Sequence, residues 1–338
     1  MPVLLLPIAL SLISSFGSPQ VKVVPYYKIL KTARVGGDGG FDYVYADSIG
    51  RKLYIARGGS KPRVAAFNLD TLAAEGEVSN TNARGAAVDT KSHHGFSSSK
   101  PVAMWDTRTL APIKTIPVEG GPDGILNDDF THHVYIFSHR APNATVIDSE
   151  SGTVLGTIDL GGAPEQAVTD GKGHIYVDLE DKDSVAVVDT KTMKVTATYS
   201  LKGKGGENAG LALDAKNGVL FVACRNPQVM VMMSTKDGTI LDTLPIGQGC
   251  DGAVFNPKTM ECFSSQGDGS LTIIKEISPT RFEVEQVVTT KPGAKTITLD
   301  TRTGKVLLIA AEYGPAPAGS RRGPLVPGSF SILVVGKS

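Results

Sequence analysis

Cysteine is scarce in this chain: 338 residues contain three, Cys224, Cys250 and Cys262. Three thiols cannot all pair internally, which excludes a disulfide scaffold, and their spacing lacks the paired pattern of a zinc site. Aromatic residues make up 6% of the sequence and tryptophan occurs once, at Trp105. That leaves no basic, aromatic-studded groove for single-stranded nucleic acid. Excess charge of either sign is also missing, with 34 basic residues against 34 acidic ones. No overall field draws the chain to a polyanion or an anionic membrane, so nucleic acid is not an expected partner and charge-driven recognition has to be local.

Complete catalytic signatures are missing as well. No GxSxG nucleophile elbow and no phosphate loop ending in GK[ST] occurs. Residues 247–252 match the dinucleotide pattern, but residues 253–255 read as another strand, so no helix N-terminus follows to receive a pyrophosphate. Asp181-Lys182-Asp183-Ser184 and Asp268-Gly269-Ser270 resemble calcium-loop fragments without the later bidentate glutamate and read as tight turns. The apolar N-terminal run, residues 3–13, is eleven residues long. As a helix it would cover only about half of a hydrocarbon core of about 30 Å. With the small and polar residues 14–18 behind it, the run reads as a secretory signal over residues 1–18, although no Lys or Arg precedes it. The expectation is a periplasmic or secreted protein with no membrane span in the mature chain.

Abundant glycine and many short apolar runs take the place of these features. Residues 120–160 hold four such runs, at 125–127, 134–137, 144–148 and 154–160, separated by Gly, Pro, Asp, Asn and Ser. Each run has strand length and each break has turn chemistry. Copies of the unit recur along the chain, and each closes its first strand with Asp or Asn: Asp47, Asp89, Asp128, Asp170, Asp214, Asn256 and Asp300. The separations are 42, 39, 42, 44, 42 and 44 residues. Seven anchors at this period predict an all-β chain folded as a seven-bladed β-propeller with four antiparallel strands per blade, a single domain over residues 21–338. The last copy carries a Pro- and Gly-rich insertion at 312–329 and stops after its third strand. The missing fourth strand is supplied by residues 29–35, so the N-terminal strand is expected to close the ring.

Within the repeats, Tyr54-Ile55-Ala56-Arg57, Tyr135-Ile136-Phe137-Ser138 and Tyr176-Val177-Asp178-Leu179 recur at the second strand. Gly121-Pro122-Asp123-Gly124 and Ala163-Pro164-Glu165-Gln166 recur at the approach to the first strand, and Ile147-Asp148 and Val188-Asp189-Thr190 at the third-strand exit. The pattern from residue 29 to the end resembles the YVTN-type seven-bladed β-propellers, typically exported bacterial proteins. No copy spells the motif in full, and the motif is structural, so it speaks to fold more than to function. The resemblance also implies that a lactone hydrolase is one available activity, because similar propellers include such enzymes.

Five positions before each anchor stand Asp42, Arg84, Asp123, Glu165, Ala209, Asp251 and Lys295. Six of the seven are charged, and Glu207 lies two residues from Ala209. These residues should ring the mouth of the channel, where function usually sits. At about 8 Å and an effective dielectric of about 20, each like-charged pair costs roughly 2 kcal/mol. A solvated polar rim, internal pairing and a bound cation are all compatible with such a ring. Arg57, Lys100, His139, Arg140, Glu180, Arg225, Gln266 and Glu312, at the ends of second strands or just beyond, should open on the same face. His139 beside Asp123 and Glu165 is a candidate acid/base group or, with Asp251, part of a divalent-metal site; its alternative is an exposed hydrogen-bonding residue. The expected partner at this funnel is a small molecule, a cation or a protein. The competing reading is a metal-assisted hydrolase or lactonase using the same carboxylates. His94, His133 and His174 fall at second-strand starts on the opposite face, where blade geometry explains them. Trp105 and residues 229–233 lie on third strands and should be core. Cys224 and Cys250 belong to adjacent copies near the same face, and a bridge between them would need a Cα separation of about 4.4–6.8 Å.

Overall fold

The computed structural model describes residues 26–141, 143–317, 319 and 323–338; the expected leader, residues 1–18, lies outside them. Twenty-eight strands form seven four-stranded antiparallel sheets, and the one helical element among the described residues is a 3-10 turn at Glu180–Lys182. The innermost strands of blades 1 to 7 are Phe41–Asp47, Ala86–Asp89, Pro122–Asp128, Pro164–Thr169, Asn208–Asp214, Cys250–Asn256 and Ile297–Asp300. Each meets its neighbours around a central channel. The chain is therefore a seven-bladed β-propeller.

Sequence explains the buried and exposed strands of a blade. Most second and third strands are largely apolar runs, as in Val219–Cys224, buried at every position, because a neighbouring blade covers each face. Outer strands alternate, as in Lys194–Ser200. Burial follows the same geometry: the seven hydrophobic clusters each draw on two adjacent blades, and the cluster between blades 7 and 1 unites Leu307, Ile309 and Ile332 with Leu53, Ile55 and Phe67. Trp105 and Met230 to Met233 are buried in these seams. All three cysteines are free and buried, with Cys224 and Cys250 in different seams.

The anchor residues are turn formers. Their side-chain oxygens accept backbone N–H bonds two or three residues on, such as Gly50 N to Asp47 at 2.7 Å, Ser92 N to Asp89 at 2.8 Å, Lys216 N to Asp214 at 2.9 Å and Arg302 N to Asp300 at 3.1 Å. Asp and Asn favour such turns because the side chain mimics a backbone acceptor. Several anchors also clasp the next blade: Arg51 donates to Asp300 at 2.8 Å, Thr169 to Asp128 at 2.7 Å, and His132 lies 2.9 Å from Asp89. Two further histidines of this face hold the turns together. His94 Nδ1 is 2.8 Å from Ser149 O, and His174 Nδ1 is 3.0 Å from Asp170.

Ring closure is made by Tyr27–Arg34, which pairs antiparallel with Ser331–Lys337 as the outer strand of blade 7. Blade 6 then locks it. Tyr27 N donates to Gln286 Oε1 at 2.9 Å, Gln286 Nε2 returns a bond to Tyr27 O at 2.7 Å, and buried Glu261 accepts from both the Tyr27 hydroxyl and Lys337 Nζ. Deleting residues 26–35 should therefore abolish the cooperative monomeric melt, since it opens blade 7 and strips that lock. Glu261→Ala should lower stability by about 1–3 kcal/mol in urea unfolding, because it leaves two donors without their acceptor. A truncated chain that melts normally as a monomer would contradict closure by this strand.

Candidate functional site

The charged ring owes its aim to irregular strand entries. In blades 1, 3, 4, 5 and 6 the inner strand slips register against the second strand between Phe41 and Val44, Pro122 and Ile125, Pro164 and Ala167, Asn208 and Gly210, and Cys250 and Ala253. Each slip gives the inner strand one residue more than its partner, which is a β-bulge, and bulges bend a strand and re-aim side chains. The bulged stretch holds the ring position in each case: Asp42, Asp123, Glu165, Ala209 and Asp251. In blades 2 and 7 the inner strands are shorter, and Arg84 and Lys295 precede them.

Most of the ring charges pair internally. Arg84 binds Asp42 at 2.9 Å. Lys295 Nζ and Arg225 both bond Asp251, and Arg225 also bonds Glu180 and donates from Nε to Cys250 O at 3.0 Å. Asp123, Glu165 and His139 make a third group without a full cation. His139 Nε2 stands 3.4 Å from Asp123 and 3.6 Å from Glu165. One ligand atom from each of the three lies within 4.8 Å of the others. Burial holds the Asp123 carboxyl above its usual range, with His139 and Arg84 pulling the other way. Glu165 is pushed up to about 8, first by burial and then by the negative charges of Asp123, Glu180 and Asp251.

Other expected residues fall elsewhere. Arg57 is buried and its guanidinium stacks 3.6 Å from the Phe330 ring centroid, donating to the carbonyls of Gly36 and Asp38. It clamps the loop after the closing strand. Glu207 is exposed, and Ala209 is buried. Lys100 pairs with Glu119 at 3.3 Å, Glu312 with Lys291 at 3.4 Å, and Gln266 is buried, accepting from Ser270 and Thr272. Arg140, beside His139, is exposed.

Two residues not expected from the repeat closely govern this site. Tyr43 reaches across the channel to donate its hydroxyl to Glu165 at 3.0 Å. Burial raises its pKa well above normal, reinforced by Glu165, Asp123, Asp251 and Asp42 in turn, so the phenol stays a neutral donor among four carboxyls. Gln166 stitches three blades: its Oε1 accepts from Leu211 N and Ala253 N, each at 3.0 Å, and its Nε2 donates to Ala253 O at 2.9 Å. A cavity of about 440 Å³ lined by Val88, Leu126, Val168, Leu213, Val254 and Leu299 lies on the anchor side. Tyr43, Glu165 and Gln166 line a smaller cavity of about 190 Å³ in the bowl of the funnel. A sequence signal for Tyr43 and Gln166 exists one position after the ring. Glycine stands there in four copies, at Gly85, Gly124, Gly210 and Gly252, and Tyr43, Gln166 and Thr296 in the others. A Cβ at Gly124 would come within 2.6 Å of Glu165 O, so close blade contact demands glycine there.

No family model matches the chain, and no curated protein matches it. Among solved structures it is similar to a chain in a crystal structure of the mitotic checkpoint complex. The TM-score is 0.72 at 11% sequence identity, covering 90% of this chain and 96% of that one. At that identity the likeness shows the propeller fold alone. Among the described residues, no helix is long and apolar enough to cross a membrane.

The Glu165 carboxyl makes stability pH-dependent. With a folded value of about 8 against an ordinary 4.5, the folded chain keeps a proton that the unfolded chain releases, so stability falls as pH rises through that interval. Urea unfolding of Glu165→Gln should show a shallower decline than the wild type between about pH 5 and pH 8. Parallel curves would mean that the carboxyl titrates normally.

Proposed function

We propose that this propeller is a binding protein whose funnel holds a divalent cation on Asp123, His139 and Glu165 and presents it to a small ligand. The observation that carries this reading is the convergence of one imidazole nitrogen and two carboxylate oxygens within 4.8 Å, while the neighbouring charges are already paired. Such a mixed nitrogen and oxygen set suits Zn²⁺ or Mn²⁺, and three protein ligands leave coordination positions open. Asp251, spoken for by Arg225 and Lys295, is not among the ligands in this reading. The YVTN-type repeats and the apolar residues 3–13 support a periplasmic or secreted location for it. A protein partner at the same face also suits the scaffold, since a chain of similar fold belongs to a multiprotein checkpoint complex.

A metal-assisted hydrolase of lactonase type is the second reading, favoured by one observation. Glu165, with its carboxyl at about 8, is poised near neutral pH beside an open coordination position, as a general acid or base should be.

Metal analysis of the untagged protein and thermal melts with Mn²⁺ test the binding reading. A cation present at about 100 times its Kd should stabilise the fold by about 2.7 kcal/mol, and Asp123→Ala should remove that gain. Wild-type protein that carries no metal and shows no shift would overturn the assignment. Hydrolysis of a lactone that depends on both Mn²⁺ and Glu165 would favour the enzyme.

A further inference from the structure

Asp214, the anchor of blade 5, and Glu276, on the third strand of blade 6, meet inside the protein, where they are 1% and 2% exposed. Asn217 ties them together: its backbone N–H donates to Asp214 Oδ1 at 3.3 Å and its Nδ2 to Glu276 Oε1 at 2.8 Å. The second oxygen of each carboxyl, Asp214 Oδ2 and Glu276 Oε2, is buried and has no donor among the described residues. Two such orphans are costly unless something joins them.

Other anchors show what is missing. Asp89, Asp128 and Asp300 are each met by a side chain from the next blade, respectively His132, Thr169 and Arg51. At the seam of blades 5 and 6 that place is taken by Glu276, so an acid faces an acid. The charged groups around the pair are engaged elsewhere or turned to solvent. Lys216, Arg281 and Glu283 are exposed, Lys258 Nζ bonds the carbonyls of Thr301 and Arg302, and Lys275 Nζ bonds Thr259 O. The Cys262 thiol, on the adjoining strand, is pushed well up by burial and then by Glu276, and so stays neutral. One proton held between the two free oxygens supplies the missing donor, as happens where two carboxyls occupy one site.

We propose that Asp214 and Glu276 share one proton and form a proton-operated clasp on the seam between blades 5 and 6, closed while the proton is held and released when it leaves. The carboxyl of Glu276 is in keeping with this: it is pushed up to about 7, first by burial and then by the charge of Asp214 and a hydrogen bond with it, against the Asn217 donor. On the funnel side the same two blades are joined by Arg225 and Asp251, so the proton governs the other end of the seam.

Glu276→Gln and Asp214→Asn each put a permanent amide donor where the shared proton lies, and Asn256 shows that an anchor can be an amide. In urea unfolding of the full chain, both variants should match the wild type near pH 4.5. Above that the wild type should fall behind, because its folded state holds a proton that the unfolded chain releases, and stability is lost as pH rises from 4.5 to about 7. The lag should level off by pH 8. Hydrogen exchange locates the effect. At pH 8, peptides covering residues 214–220 and 270–277 should exchange about tenfold faster in the wild type than in either variant, while residues 128–137, in the seam clasped by Thr169, should exchange alike in all three. Variants that trail the wild type at every pH, or fail to fold, would show that the pair does not accept an amide donor and would overturn the proposal. A stability difference that does not change with pH would overturn it as well.

Discussion

Each blade has two apolar faces, and a lone four-stranded sheet of this composition has nothing to bury them against. Seven seams solve the problem, each made from two neighbours, but only if the ring is closed. The strand Tyr27–Arg34 is what closes it, so the first described residues of the chain complete the last blade. Hydrogen bonding settles the open edge, the Leu307 and Phe67 seam buries the exposed faces, and the Glu261 knot ties the closing strand to a third party in blade 6. The channel and its bowl exist only because this closure holds seven strand entries in a circle.

Much of this architecture was legible in the sequence for a concrete reason. Asp and Asn at the anchors accept backbone bonds in hairpin turns, and a turn former at a steady period marks blades directly. Most second strands were equally plain, because burial on both faces leaves a largely apolar run. At the site, the residue type at each ring position could be read, but not its partner. Which charges neutralise one another depends on side chains meeting across blades, such as Arg225 reaching both Glu180 and Asp251. Arg57 shows the limit from the other side. Its place in the repeat matches that of a funnel residue, and only the tertiary stack on Phe330 reveals a clamp. Tyr43 and Gln166 were overlooked because they sit one step from the charged position, where the other copies carry mostly glycine.

The bowl also runs against the interests of stability. Asp123 and Glu165 are held close together with limited water and no full counter-charge, and both carboxyls rise in response. Tyr43 holds Glu165 from the far wall. Two carboxyls pushed up in this way, beside neighbours that are paired, are the arrangement on which the proposed cation site rests.

The bulges at the inner-strand entries carry a consequence for how such a protein can change. A residue in the regular part of a blade is bound by register on both sides, so replacing it disturbs a seam. The extra residue of a bulge is released from that pairing. Acid and alanine already occupy this bulge in different blades, and the bases Arg84 and Lys295 stand just ahead of the unbulged inner strands of blades 2 and 7. The ring therefore behaves as a set of interchangeable sockets, and a new ligand preference can evolve there by substitution at a few sites while the seven seams stay as they are.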